Sequence, residues 1–357
     1  MLKKRVAQLL DAMPDDFEAA LIQTEVSRFY FLDFDAADAG TLLLLPEKLV
    51  YLIDLRYIEA AEREIDNAEV VLEKDTFKQL GELLEKAGVK HLYLENRIPV
   101  SLYEKTREKL PQCSLNISGR LSEEIEALRS VKDESEIERM RRAQQITDAC
   151  FAHILPKIQP GVREVDMMLE MERFMRSSGA EKVAFDTIFI GGANTSLPHG
   201  QPGEYRLQKG DFVTMDFGAK YRGYCSDMTR TVALGEPGEE KRKIYDLVLN
   251  AHYVGLKAVY SGQKGSAVDK AAREVIEQAG YGPYFGHGLG HAVGIEIHEA
   301  PRFSPKCGSV IRSGMMMTVE PGCYLPGRFG CRIEDTVLVK EDGCESLAAS
   351  PKELLVL

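Results

Sequence analysis

Four acidic residues occupy equivalent places in two similar segments of the chain. Segments 212–234 and 315–339 each contain a Thr-x-acid-x-Gly sequence, followed by a Tyr/Gly-rich stretch and a second acid before a β-prone run. The four acids are Asp216, Asp227, Glu320 and Glu334. We therefore predict two β-hairpins, each with one inward carboxylate on each strand. Acids in the middle of apolar strands are costly to bury unless cations neutralise them, which indicates a metal site.

The same acids have a second interpretation. They could be exposed strand residues, or they could pair with Arg230 and Arg332, which lie close to them in sequence. For a single acid this ordinary interpretation would be preferred. The repetition of the whole pattern favours the metal site.

Histidine is rare and clustered in this chain. Only seven histidines occur, and three of them, His287, His291 and His298, fall within one glycine-rich run. His199 lies in a Pro-His-Gly sequence further upstream. Imidazole suits first-row divalent metals, and glycine lets the backbone approach a site closely. Packing alone is a poor explanation for this clustering.

Composition excludes several classes of protein. The formal net charge of −11 argues against nucleic acid as a partner. The seven cysteines are scattered without a CxxC sequence, so neither a disulfide framework nor a thiolate zinc site is indicated. The N-terminal stretch is typical of an amphipathic helix and not of a signal peptide. The apolar region 41–53 is interrupted by Pro46, which indicates two strands and no membrane span. We expect a cytoplasmic protein.

The chain is predicted to form two domains. Residues 1–122 alternate short apolar runs with helical patterns, which is typical of an α/β domain. The predicted elements are strands at 19–23, 41–45, 49–53 and 91–95 and a helix at 76–88. Residues 123–135 are predicted to be a linker, and 136–357 a second, α+β domain. Its first helix should begin at Asp133, since Glu136 has the spacing of a capping box. Further helices are predicted at about 164–178, 239–260 and 266–279.

Five ordered stretches of the second domain resemble the Xaa-Pro peptidases, the family of prolidase and aminopeptidase P. This family shares the pita-bread fold with methionine aminopeptidase and creatinase. The matching stretches are 185–200, 210–235, 287–301, 317–324 and 330–339. Residues 27–34 are similar, more weakly, to the creatinase-type N-terminal domain of that family. The resemblance implies an α+β protein, with a C-terminal pita-bread domain preceded by a smaller α/β domain.

The resemblance also implies a ligand set for two divalent metal ions. Asp227 and Glu334 would bridge the pair, Asp216 would complete one ion, and His291 and Glu320 would complete the other. A site of four carboxylates and one imidazole favours Mn²⁺, with Co²⁺ or Zn²⁺ as alternatives.

Other positions match residues that act on the substrate in the family. His199 and His298 would steady the substrate and the tetrahedral intermediate, while His287 belongs to the surrounding shell. Arg332 would orient Glu334. Arg302 would receive the C-terminal carboxylate of a dipeptide, although a similar arginine also occurs in relatives that act on longer peptides.

The implied reaction is metal-dependent hydrolysis of an Xaa-Pro peptide bond by a hydroxide that bridges the two ions. Glu320 would take up the proton of the water, and His199 or His298 would donate to the developing oxyanion. The substrates would be peptides with proline at the second position, and the resemblance suggests a homodimer. Dipeptides and longer peptides remain open as substrates. So do two other classes of protein, namely another pita-bread hydrolase such as methionine aminopeptidase and a non-catalytic binding protein.

Overall fold

The protein consists of two compact units, one extending through Arg129 and the other starting at Ser130. They are described by a computed structural model that covers residues 2–357. Within these residues, no helix combines the length and the apolar character that crossing a bilayer requires.

From Leu2 onwards, the first unit contains one six-stranded sheet and six helices. The helices are α1 Leu2–Ala12, α2 Glu25–Leu32, α3 Ile58–Glu64, α4 Thr76–Ala87, α5 Val100–Lys109 and α6 Arg120–Ser130. The strands are β1 Ala19–Ile22, β2 Thr41–Leu45, β3 Lys48–Ile53, β4 Glu69–Leu72, β5 His91–Leu94 and β6 Ser114–Asn116. The strand order is β4-β3-β2-β1-β5-β6, and β2 is antiparallel to both of its neighbours.

The apolar runs of the first unit form its buried strands. Every residue of β1 and β2 is buried, as is typical of strands covered on both faces. Helix α4 buries Leu80 and Leu84 and ends at Gly88, whose φ of 72° lies in the left-handed region that glycine adopts without strain. The predicted strands and the predicted helix of this unit are confirmed.

The second unit contains four long helices and thirteen short strands within the described residues. The helices are α7 Glu134–Ile154, α8 Glu164–Ser177, α9 Glu239–Ala258 and α10 Gly265–Gln278. The strands are β7 Lys182–Val183, β8 Ile188–Gly191, β9 Phe212–Phe217, β10 Ala219–Tyr221, β11 Tyr224–Cys225, β12 Met228–Ala233, β13 Gly290–Ala292, β14 Glu299–Phe303, β15 Met316–Val319, β16 Gly322–Leu325, β17 Phe329–Arg332, β18 Asp335–Lys340 and β19 Gly343–Ser346.

Each half of the second unit packs a sheet against a pair of helices. In the first half, α7 and α8 cover the sheet β12-β9-β8, and Met171 packs with Met215 in the shared core. In the second half, α9 and α10 cover the sheet β14-β13-β15-β18-β19, and Ala272 packs with Met317. Two smaller sheets, β11-β10-β7 and β16-β17, complete the unit.

The predicted N-terminus of α7 is confirmed in detail. The Asp133 side chain accepts from the backbone N–H groups of Ser135 and Glu136, and the Glu136 carboxylate accepts from the Asp133 N–H. The range 123–135, predicted as a linker, is largely helical. Helix α6 extends to Ser130, so only three residues separate it from α7.

The prediction of one carboxylate on each hairpin strand is correct for Asp216 alone. Asp216 lies within β9, whereas Asp227 precedes β12, Glu320 directly follows β15, and Glu334 directly precedes β18. Glu320 and Glu334 lie there because β16 and β17 pair with each other, so the chain leaves the β15–β18 ladder after Glu320 and rejoins it after Glu334. Asp227 likewise lies between β11, which pairs with β10, and β12, which pairs with β9. Three of the four acids therefore lie at strand junctions.

Candidate metal centre and active site

One cavity of about 420 Å³ in the second unit collects all ten of the predicted site residues. Four are carboxylates, four are histidines and two are arginines: Asp216, Asp227, Glu320, Glu334, His199, His287, His291, His298, Arg302 and Arg332. Four of them lie within strands β9, β13, β14 and β17, and four directly adjoin the ends of β12, β14, β15 and β18. The other two, His199 and His287, lie on the segments that precede β9 and β13. Side chains that are more than a hundred residues apart in sequence thus meet at one point.

Three of these side chains could share a single ion. Asp227, His291 and Glu334 are buried, and each offers one ligand atom within 4.8 Å of the others. His291 Nε2 lies 3.7 Å from Asp227 Oδ2 and 3.4 Å from Glu320 Oε1. His291 Nδ1 lies 3.1 Å from the Ala292 carbonyl oxygen, to which it can donate, and this contact directs Nε2 towards the carboxylates.

The protein holds one oxygen on each of three carboxylates. Glu334 Oε2 accepts from Thr229 Oγ1 at 2.7 Å, and Glu320 Oε1 accepts from Thr318 Oγ1 at 3.1 Å. Asp216 Oδ2 accepts from an arginine at 2.6 Å, and its Oδ1 is buried with no hydrogen-bond partner among residues 2–357. A buried carboxylate oxygen without a partner is costly and is accounted for by a cation. The donor set therefore fits divalent metal ions.

The electrostatics of the cavity agree with this fit. Burial, reinforced by the neighbouring carboxylates, raises the pKa of Asp227 and of Glu334 well above the ordinary range. Burial also raises the pKa of Glu320 to about 7. Burial lowers the pKa of His291 to about 3, which keeps the imidazole in the neutral form that binds metals. Without a cation, the cluster resists the ionisation of its own acids.

The sequence left open that the four acids pair with Arg230 and Arg332, and this alternative is correct for Arg332 only. Arg332 does pair with Asp216. Arg230, in contrast, pairs with Asp335 at 2.8 Å, and Asp335 is not one of the four acids. Asp227, Glu320 and Glu334 form no arginine or lysine ion pair within residues 2–357.

Tyr324 connects two of the predicted residues and was not singled out from the sequence. Its hydroxyl accepts from Arg332 Nη1 at 2.7 Å and lies 3.0 Å from His287 Nε2. His287 Nδ1 lies 2.8 Å from the Gly288 carbonyl oxygen. Burial lowers the pKa of His287 to about 4, so its ring is neutral and can accept from Tyr324. The only sequence signal was the Tyr/Gly-rich stretch between Glu320 and Glu334.

The three predicted residues not yet placed are exposed members of the cavity lining. His298 is exposed, and its ring centroid lies 4.5 Å from that of the His291 ring. Arg302 of β14 occupies the position that faces His291 of β13 in the antiparallel ladder. His199 is also exposed and lies on the segment that follows β8. Each of these groups can reach a molecule held in the cavity.

Comparison with protein-family models identifies the family. Residues 138–341 match the model described as metallopeptidase family M24, and residues 5–131 match the creatinase/prolidase N-terminal domain. The chain belongs to metallopeptidase family M24. The family resemblance drawn from the sequence is confirmed, and so is the α+β fold class with its creatinase-type N-terminal domain. Membership of M24 also implies divalent metal ions at the site.

Individual M24 relatives extend over the whole chain. The Xaa-Pro dipeptidase of Pyrococcus furiosus is 36% identical, and the match covers 99% of this chain and 100% of that protein. The structure of an Xaa-Pro dipeptidase from Bacillus anthracis is 38% identical, with a TM-score of 0.96 and full coverage of both chains. The structure of an X-Pro aminopeptidase from Thermotoga maritima is 36% identical, with a TM-score of 0.90 and coverage of 95% of this chain and 97% of that one.

Proposed function

We propose that this M24 protein is a metal-dependent peptidase that hydrolyses the Xaa-Pro bond of dipeptides. The observation that carries the proposal is the convergence of four carboxylates and one imidazole, with a buried Asp216 oxygen left without a partner. The dipeptidases among the relatives, which match over the full length of the chain, support the choice of substrate.

We assign the metal ligands as the resemblance implied. Asp216, Asp227, His291, Glu320 and Glu334 would together hold two divalent ions. Because oxygen donors dominate, Mn²⁺ suits the set best. When bound, the ions supply a Lewis acid for the scissile carbonyl and lower the pKa of an attacking water.

The protein's own groups move the protons and stabilise charge. Glu320, a carboxylate of the cavity lining, takes up the proton of the attacking water. His199 and His298 are exposed members of the cavity lining and donate hydrogen bonds to the carbonyl oxygen as negative charge develops on it. Neutral imidazole suffices for this step, because it carries one N–H.

The cavity also offers separate contacts for the two parts of a dipeptide. Arg302 is exposed, faces His291 across the strand pair, and would bind the C-terminal carboxylate. A proline nitrogen in the scissile bond carries no N–H, so the ring must be recognised by apolar contact. The apolar side chains of the lining are Phe185, Ile188, Pro198, Ile297 and Phe303.

A substrate series tests the proposal. The Mn²⁺-loaded protein is incubated with Gly-Pro, Gly-Ala and Gly-Pro-Ala, and released amino acids are quantified. We expect cleavage of Gly-Pro but not of Gly-Ala. Cleavage of Gly-Pro-Ala alone would instead make the protein an Xaa-Pro aminopeptidase. No cleavage of either proline peptide would refute the proposal.

A further inference from the structure

We propose that two buried glutamates, Glu164 and Glu299, are positioning residues that hold the loops carrying His199 and His298. Neither glutamate lines the cavity. Each acts through backbone N–H groups of a loop that ends at, or contains, one of the two histidines. The inference rests on the proposed function, in which both histidines must face the same carbonyl oxygen.

Glu164 binds both ends of the loop that carries His199, residues 191–203. Its carboxylate is fully buried at the start of α8, and Oε1 accepts from Gly191 N at 2.8 Å and from Asn194 Nδ2 at 2.9 Å. Its other oxygen, Oε2, accepts from Gly203 N at 3.0 Å. One side chain therefore joins the two ends of segment 191–203, and His199 lies between them.

The bonding of Glu164 requires a carboxylate. Among the described residues, Glu164 has no lysine or arginine partner. Burying an unpaired charge is costly unless hydrogen bonds satisfy it, so packing alone does not explain a glutamate here. Both oxygens must accept from N–H donors. A glutamine would turn its own NH₂ group towards one of those donors.

Further hydrogen bonds hold the part of the loop that lies next to His199. Thr195 Oγ1 accepts from Gly330 N at 2.9 Å, which ties the loop to β17. Arg332 Nη1 donates to the carbonyl oxygen of Pro198 at 3.1 Å. The His199 side chain itself makes no hydrogen bond within residues 2–357, so its loop sets its position.

Glu299 does the same for the loop that joins β13 to β14. Its Oε1 accepts from Ile295 N at 3.1 Å and from Glu296 N at 3.3 Å. Its Oε2 lies 3.0 Å from Lys132 Nζ, and both side chains of this ion pair are buried. His298 directly precedes Glu299.

The close approach of this loop to Glu299 leaves no room for a side chain at Gly294. A Cβ atom on Gly294 would lie 2.6 Å from Glu299 Oε2. The carboxylate thus packs directly against the loop backbone. The position of the Glu299 carboxylate determines where the chain enters β14, and therefore how the preceding residue, His298, is oriented.

A double-mutant cycle tests whether each glutamate acts through its own histidine. Glu164→Gln is expected to lower kcat for Gly-Pro about 10- to 100-fold, the scale expected when a catalytic group is displaced by about 1 Å. In the His199→Ala background, Glu164→Gln should lower kcat by less than about twofold, because the group it positions is absent. Glu299→Gln should behave in the same way with His298→Ala.

The crossed pairs supply an internal control. Glu164→Gln with His298→Ala, and Glu299→Gln with His199→Ala, should retain most of the full loss in kcat. Equal losses in all four combinations would overturn the proposal, because a general loss of structure does not discriminate between the histidines. Glu95→Gln is the matched control. Glu95 is a buried glutamate of the first unit that accepts from the N–H groups of Gln23 and Thr24, and no change in kcat is expected.

A spectroscopic measurement keeps the inference testable without turnover. The protein is labelled with ¹⁵N-imidazole histidine, and the signals of His199 and His298 are assigned from their alanine variants. Glu164→Gln should shift or broaden the His199 signal alone, and Glu299→Gln the His298 signal alone. Unchanged signals in both variants would refute the positioning role even if Gly-Pro is cleaved. Selective shifts in a protein that does not cleave Gly-Pro would refute only the proposed function.

Milder variants serve if either glutamine variant fails to fold. Asn194→Ala removes one of the three donors to Glu164, and Lys132→Gln removes the charged partner of Glu299. Each should reproduce the selective effect on kcat and on the histidine signal to a smaller degree. Absence of selectivity in these variants would likewise overturn the proposal.

Discussion

Arg332 Nη2 lies 2.6 Å from Asp216 Oδ2, and the other oxygen of the same carboxylate is buried without a partner within residues 2–357. The guanidinium also donates to Thr229 Oγ1 at 3.0 Å and to the Tyr324 hydroxyl. Arg332 therefore holds one oxygen of Asp216, while within residues 2–357 its hydrogen bonds reach Glu334, the partner that the resemblance implied, only through Thr229. The other oxygen of Asp216 stays available to the proposed metal ions, and holding a ligand in this way is typical of residues that surround a metal site.

Arg332→Lys should lower both metal affinity and kcat/KM about 10- to 100-fold, the usual effect of losing a partner of a metal ligand. Lysine keeps the charge but cannot reproduce the planar set of donors. Calorimetric titration with Mn²⁺ and Gly-Pro kinetics measure the two effects. Arg328→Lys, at an exposed position paired with Glu240, is the control and should change neither. Wild-type metal affinity in Arg332→Lys would contradict the orienting role.

Asp227→Asn should abolish stoichiometric metal binding and reduce turnover by at least about 100-fold, which is beyond the effect expected of residues outside the ligand set. Since a neutral amide is cheaper to bury than a carboxylate, the metal-free variant should unfold at the same temperature as the metal-free wild type, or higher. Metal analysis, Gly-Pro kinetics and thermal unfolding in chelator measure these outcomes. Full activity in the variant would remove Asp227 from the metal site.

The stability of the metal-free protein should fall as the pH rises above 6.5. The pKa of Glu320 is raised from 4.5 to about 7, and those of Asp227 and Glu334 are raised as well. The pKa of His291 is lowered from 6.5 to about 3, and those of His287 and His298 are lowered as well. Above pH 6.5 the unfolded histidines are less than half protonated, so they oppose the decline only up to about pH 7.5. In that range the folded carboxylates bind more protons than the unfolded ones, and the free energy of unfolding declines with pH.

Thermal unfolding in chelator, measured from pH 6.5 upward, checks this decline. Added Mn²⁺ should remove it, because the cations replace the protons on the carboxylates. Metal binding should also release protons. Titrations in buffers of different ionisation enthalpy detect that release. A melting temperature that rises with pH in chelator would contradict the assigned pKa directions.

Arg230→Met should destabilise the protein by about 3 kcal/mol, since it removes the buried guanidinium that pairs with Asp335 and leaves the Lys352 ammonium, 2.9 Å from Asp335 Oδ2, to offset that buried charge. The side chains of this pair are fully buried, and Arg230 Nη1 also donates to the carbonyl oxygen of Glu334 at 2.6 Å. Urea unfolding measures the change. Lys48→Met, which breaks the exposed pair with Glu69, is the control and should cost less than about 1 kcal/mol. Equal effects of the two substitutions would refute the claim.

Arg302→Ala should raise the KM for Gly-Pro about 10- to 100-fold, because a hydrogen bond to a charged group contributes about 1.5–3 kcal/mol. The matched substrate is glycyl-prolinamide, which lacks the terminal carboxylate. The variant and the wild type should cleave it with similar KM values. A KM for Gly-Pro that does not change would exclude Arg302 from binding the carboxylate.

Much of the local structure could be predicted because its causes are local. The apolar run 41–45 became a buried strand, and the pair Asp133 and Glu136 formed a capping box, since each depends only on neighbouring residues. Four acids could be proposed as metal ligands because two segments repeat one pattern, while the full ligand set with His291 came from the family resemblance. The placement of acids within strands failed for Asp227, Glu320 and Glu334. Which ladder a strand joins depends on distant segments.

Other functional candidates left almost no signal in the sequence. Glu164 stands at the start of an ordinary amphipathic helix, and nothing near it predicts that it accepts from Gly191 and Gly203. Tyr324 was one aromatic residue in the Tyr/Gly-rich stretch between Glu320 and Glu334, and the structure places it in β16. Both matter through contacts that the chain makes only after it has folded.

The sequence by itself determined which side chains are available for chemistry. Acids and histidines in a fixed order define an oxygen-rich donor set, because the ligand preference of a metal follows from donor type. Only the tertiary structure decided how those donors are presented. It brought segments more than a hundred residues apart to one cavity and bound one oxygen of Asp216 to Arg332 while leaving the other unpaired. It also raised the pKa of Glu320 to about 7 through burial. Burial and long-range contact belong to the folded chain as a whole, and no short stretch of residues encodes them.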